Sequence, residues 1–241
     1  RGGRHIVVAR YLSEVIPIVL VSPLNNQAVD LSSDTRNNFV DEYVLRLLAE
    51  LRLPTSPLAD DGTFLRRVTL DLTGRLPEYN HESPVPGLDR EAIVDKLLSS
   101  EEFVDFYTLK LAKLLRIQSK NDKNRVATTT EAARGFHNWI AEQLRNGVGY
   151  DQIAKEIITA TGDTTKVAPA TFYIAVEDPQ LQTEFATEVF MGSRMKCANC
   201  HNHPLDKWTQ DDFHGLTAIF AKLTRQKVIK LNPLGRAIHP N

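Results

Sequence analysis

Apolar residues recur at helical spacing through most of this chain, but not at its start. The segment HIVVARYLSEVIPIVLV carries two β-branched runs, Ile6 to Val8 and Val15 to Val21, separated by Ser13 and Glu14 and closed by Pro23. That pattern predicts two strands. Residues 24–37, LNNQAVDLSSDTRN, are polar and turn-rich and predict a linker. From Asn38 the period becomes helical: Phe39, Val40, Val44, Leu47, Leu48 and Leu51 recur before PTSP stops the run. Asp60 or Asp61 can cap a following helix through Phe64, Leu65, Val68 and Leu72, which TGRLPE breaks. Asp89 caps a segment with Ile93, Leu97 and Leu98. Ser100, with Glu102, opens a longer one containing Phe103, Phe106, Leu109, Leu111, Leu114 and Leu115. Further amphipathic stretches span residues 130–145, 150–160, 179–195 and 210–223. Roughly eight helices with short punctuation predict a mainly α fold, a multi-helix domain over 38–241 behind a short N-terminal β-tail at 1–23. Long apolar rows, including Phe136, Trp139 and Ile140, read as core, and NDKNRVATTT as a solvated loop.

Composition narrows the class of protein. The 241 residues are 42% hydrophobic and 24% charged with a formal net charge of -1, so there is a sizeable core and no electrostatic argument for a nucleic-acid or anionic-membrane partner. No apolar run is long enough to span a membrane, and the start does not read as a signal peptide. Beginning at Arg1 suggests a processed or excised piece. Two cysteines do not make a disulfide framework, so stability must come from the apolar core.

Both cysteines lie in KCANCHNHPLDKWTQDDF, residues 196–213. Cys197-Ala198-Asn199-Cys200-His201 fits the C-x-x-C-H pattern of covalent c-type haem attachment. Two thiols three positions apart can each add to one vinyl group of a porphyrin, and the next residue then aims its imidazole at the iron. A thioredoxin-type redox pair would follow a strand, whereas a helical pattern leads in here. Zinc would need ligands from elsewhere, since adjacent Cys200 and His201 cannot both face one ion. One covalent haem c ligated by His201 is therefore the leading expectation, with a local Cys197–Cys200 disulfide or a zinc site as alternatives.

Around that motif, His203 is too near His201 to cross the ring and is expected to orient the site, while Trp208 can pack on the porphyrin edge or in the core. His214, Met191, Met195 and His137 are candidate distal ligands, beside an open position. Asp206, Asp211 and Asp212 are expected to serve a helix start rather than a cation, with Thr209 or Asp211 as its cap.

The stretches FLRRVTLDLTGRLPE (64–78), FMGSRMKCANCHNHPLDKWTQDDFHGLTAIFA (190–221) and LNPLGRAIHP (231–240) resemble an uncharacterised-domain family abundant in secreted proteins of planctomycete bacteria. The resemblance covers roughly residues 38–241, and Cys197, Cys200, His201, His203, Pro204, Asp206 and Trp208 fit its pattern. It implies a periplasmic, cell-surface or secreted protein, an Ig-like domain ending at residues 1–23, and a natural chain that continues past Asn241. Tyr107, Lys110 and His214 depart from the family's usual residues, which weakens any shared role for His214. The expected function is single-electron transfer to a redox partner protein or an adjacent domain. A haem-free structural or interaction module is the alternative, and the sequence leaves open whether the protein is an enzyme.

Overall fold

The computed structural model describes residues 2–11, 14–78, 87–118, 129–176, 178–224 and 228–231. Most of the expected loop NDKNRVATTT and most of LNPLGRAIHP lie outside the described residues. The chain divides into two compact units, residues 1–59 with 204–206, and residues 60–203 with 207–241.

The first unit holds the two expected strands, β1 (Gly3–Tyr11) and β2 (Glu14–Ser22), and the helix α1 (Phe39–Leu51). The strands pair antiparallel from Gly3 opposite Ser22 to Tyr11 opposite Glu14. Side chains alternate across a strand, so Ile6 and Val8 share one face and Val7 the other, and all three are exposed. Asn38 opens α1 in a capping box with Asp41. At the far end Arg52 takes a left-handed conformation (φ 57°), which ends the helix. The Leu24 amide donates to the Leu51 carbonyl at 2.9 Å, and the Arg52 guanidinium donates to the Asn26 carbonyl at 2.6 Å. The start of the expected linker is thus tied to the end of α1.

The second unit is built from α2 (Asp61–Thr73), α3 (Arg90–Leu98), α4 (Glu101–Leu114), α5 (Thr130–Arg145), α6 (Tyr150–Thr159), α7 (Pro179–Met191) and α8 (Gln210–Ala221). Asp60, Asp89 and Ser100 cap α2, α3 and α4, each accepting a backbone amide of the first turn. The Asp60 carboxyl is held below its ordinary value, chiefly by the Thr63 amide it accepts.

The main core joins α5, α6, α7 and a short 3-10 segment, Ala168–Ile174, which the sequence pattern does not reveal. Phe136 and Ile140 of α5 and Ile153 and Ile157 of α6 are almost wholly buried there. Phe172 of the 3-10 segment stacks on Phe185 of α7 with ring centroids 5.1 Å apart, and the Tyr173 hydroxyl donates to the Ile158 carbonyl. Three short strands, β3 (Gly162–Asp163), β4 (Leu223–Thr224) and β5 (Val228–Leu231), form an antiparallel sheet in the order β3-β5-β4. This small sheet adds to the expected all-α body.

Where α2 meets α4, Gly74 ends α2 with φ 69°, and a Cβ there would lie 2.4 Å from the Phe106 ring. Gly74→Ala therefore meets both a left-handed backbone and a packed ring. It should destabilise the unit by about 2 kcal/mol or more. A denaturant melt with a midpoint equal to the unsubstituted protein's would contradict this packing.

Candidate functional site

The motif begins where α7 stops. Gly192 closes α7 in the left-handed region (φ 63°), and the Ser193 amide donates back to the Thr187 carbonyl at 3.1 Å. The chain then makes a 3-10 turn, Met195–Asn199. With three residues per turn, positions three apart share a row. Met195 and Ala198 point inward, both 0% exposed, and pack with Phe213 and the half-buried Trp208 and Leu216 into a small core. The neighbouring row, Cys197 and Cys200, consequently faces outward, and both thiols are free and exposed. The alternation of buried small or flexible residues with exposed cysteines places both sulfur atoms on the solvent side of one turn.

The turn is locked from within and from α8. The amides of Cys200 and His201 both donate to the Cys197 carbonyl at 3.3 Å. The Asn199 carbonyl accepts from His214 Nε2 at 3.2 Å and from Gln210 Nε2 at 3.4 Å. Asn202 Oδ1 accepts from the Gln210 amide at 3.1 Å. His214 is buried, and α8 is held to α7 by a 3.0 Å hydrogen bond between the hydroxyls of Thr217 and Thr183. Thr209 and Asp212 form a capping box at the start of α8, and the Asp212 carboxyl is lowered chiefly by the Thr209 amide. Asp212 is therefore a capping residue, as the carboxylate pattern predicts.

His201 is exposed, and its Nδ1 lies 2.8 Å from the Asn202 carbonyl oxygen. A carbonyl can only accept, so Nδ1 carries the hydrogen and, in the neutral ring, Nε2 keeps the lone pair. This is the tautomer that a metal-ligating imidazole needs, fixed by a backbone partner. His203 is half-buried, its amide donating to the Trp208 carbonyl at 2.8 Å. Lys207 places its ammonium 5.0 Å from the centroid of the Trp208 ring.

The other candidate ligands fall apart. Met195 lies in the small core under the turn, Met191 is exposed in the last turn of α7, and His137 is exposed on α5, which packs on α4 and on the Ala168–Ile174 segment. Among the described residues no group of three or more His, Cys, Asp or Glu side chains is placed to hold a metal ion. The roles of Asn199, Asn202 and Gln210 do not show in the sequence pattern. Their signal is only that amide side chains interrupt the metal-ligand run at positions that α8 can reach.

Because the Asn199 carbonyl relies on the His214 ring, His214→Phe keeps the bulk and removes the donor. The cost should be about 1–3 kcal/mol. Hydrogen exchange at the Cys200 and His201 amides should speed up in that variant, and unchanged exchange would show that the clasp does not hold the turn.

A mainly helical domain that presents two exposed thiols and an oriented imidazole on one clasped turn is the class that fold and site define. The chain belongs to the PSCyt2 family, a protein of unknown function (DUF1549), whose match covers residues 39–225. No curated protein and no solved structure is significantly similar to it.

Proposed function

We propose that this domain carries one covalently attached c-type haem and transfers single electrons. The observation that carries the reading is the contact between His201 and the Asn202 carbonyl: Nδ1 donates to that oxygen, so the neutral ring keeps its lone pair on Nε2, beside two free, exposed thiols. A bound haem would supply a one-electron ferric–ferrous couple.

The chain's own residues divide the remaining work. Cys197 and Cys200 would each add S–H across one haem vinyl group, the sulfur bonding to one carbon of the double bond and the hydrogen going to the other, and His201 would ligate the iron through Nε2. Gln210 and His214 would keep the turn in place through Asn199. His214 is thereby better read as a positioning group than as a distal ligand, since Nε2 is engaged with a backbone carbonyl. Met191, exposed on α7, remains available to serve as one. His203 and Trp208 would line the attachment turn. No helix among the described residues is long and apolar enough to cross a membrane. The reading places the protein in a periplasmic, surface or secreted compartment, with a redox protein or neighbouring domain as the electron partner.

The same two exposed thiols favour one competing reading, a local disulfide in a haem-free interaction module. Intact mass separates the two when the protein is made in cells with active haem-attachment machinery. A mass increase of one haem that survives denaturation supports the proposal. A mass lower only by the two thiol hydrogens overturns it in favour of the disulfide.

A further inference from the structure

We infer a second binding site, unrelated to the cysteine motif, for a small zwitterion with an apolar body, of dipeptide size and character. Between α2, α3 and the start of α4 lies a cleft of about 520 Å³, within the range of small-molecule sites. Its apolar walls are Leu65 of α2 and Ile93 and Leu97 of α3. Thr69 and Thr73 line it as well, nearly buried, and both hydroxyls donate along their own helix, to the carbonyls of Leu65 at 2.8 Å and Thr69 at 2.7 Å. With their hydrogens spent, these oxygens can only accept from a ligand, and Thr73 Oγ1 already accepts from the Arg75 amide at 3.3 Å, which leaves it one lone pair.

Two cations, Arg75 and Lys96, and two carboxylates, Glu78 and Glu102, also line the cleft. Among the described residues none of these four joins an ion pair, although Arg90, Arg145 and Arg194 in the same unit each pair with a carboxylate. Cleft charges that leave one another unpaired beside apolar walls are complementary to a ligand bearing both signs. An anion alone would meet Glu78 and Glu102, and a cation alone would meet Arg75 and Lys96. A zwitterion satisfies both pairs, its ammonium also reaching acceptor hydroxyls and its side chain covering Leu65, Ile93 and Leu97. The inference does not depend on haem attachment.

Calorimetric titration with the dipeptide Leu-Phe tests it, alongside N-acetyl-Leu-Phe and Leu-Phe amide. Saturable binding of the free dipeptide, weakened about tenfold by either block, is expected. Replacing Glu78 and Glu102 together by glutamine should abolish the penalty for acetylation. Replacing Arg75 and Lys96 together by glutamine should abolish the penalty for amidation. All four side chains are exposed, so both double variants should melt like the parent. Absence of saturable binding overturns the inference, and so does equal affinity for all three peptides in the unsubstituted protein.

Discussion

A chain carrying Cys197→Ala and Cys200→Ala together should retain no covalent haem, while each single variant should keep a reduced amount through its remaining thioether. Both cysteines are exposed, Cys197 within the 3-10 turn and Cys200 capping it, and neither contributes to the core beneath. Their loss should therefore leave the fold intact. Met195, Ala198 and Phe213 continue to hold the turn from below, and Asn199 remains bonded to α8. Haem staining after denaturing electrophoresis reads the attachment, and a thermal melt of the haem-free forms reads the fold. Stain persisting in the double variant would contradict the assignment of both cysteines.

The largest stability effect should follow Phe172→Ala. Phe172 is wholly buried, stacked on Phe185 and within 5.5 Å, centroid to centroid, of Tyr173 and Phe190. Removing the ring leaves a cavity among side chains from two elements that cannot both close on it, at a cost of about 3–5 kcal/mol. That is a large fraction of the 5–15 kcal/mol typical of a folded domain. Chemical denaturation should show the midpoint falling accordingly, and a shift of under about 1 kcal/mol would mean that the 3-10 segment is not part of the core.

Helix positions were legible because two signals coincide in this sequence. Apolar residues repeat at the helical period, and a capping residue stands where several of the runs begin: Asp89 before α3, Ser100 before α4, Thr209 before α8. The stretch expected over 179–195 ran past Gly192, whose left-handed backbone ends α7 at Met191. The 3-10 segment around Phe172 was hidden because it is buried on nearly every side, so its apolar run shows no period to read. The sheet was hidden for a different reason: Gly162 pairs with Ile229, and local pattern says nothing about partners so far apart in the chain.

At the site, the spacing of Cys197, Cys200 and His201 is all that the sequence offers for the haem expectation, and the support for the turn depends on which side chains the fold brings to one carbonyl. His214 shows the difference. As a histidine near the motif it was a candidate ligand, yet burial on α8 directs its Nε2 to Asn199. Met195 follows the same logic, since the 3-10 period that exposes the cysteines turns this thioether into the core.

The central claim is tested most directly by the alkaline pyridine spectrum of the reduced protein, purified from cells that attach c-type haem. The expected result is a red protein whose haemochrome bands are those of haem joined by two thioethers, and whose colour stays with the polypeptide after acid–acetone extraction. A colourless protein from such cells, or a haem that the extraction removes, would contradict it.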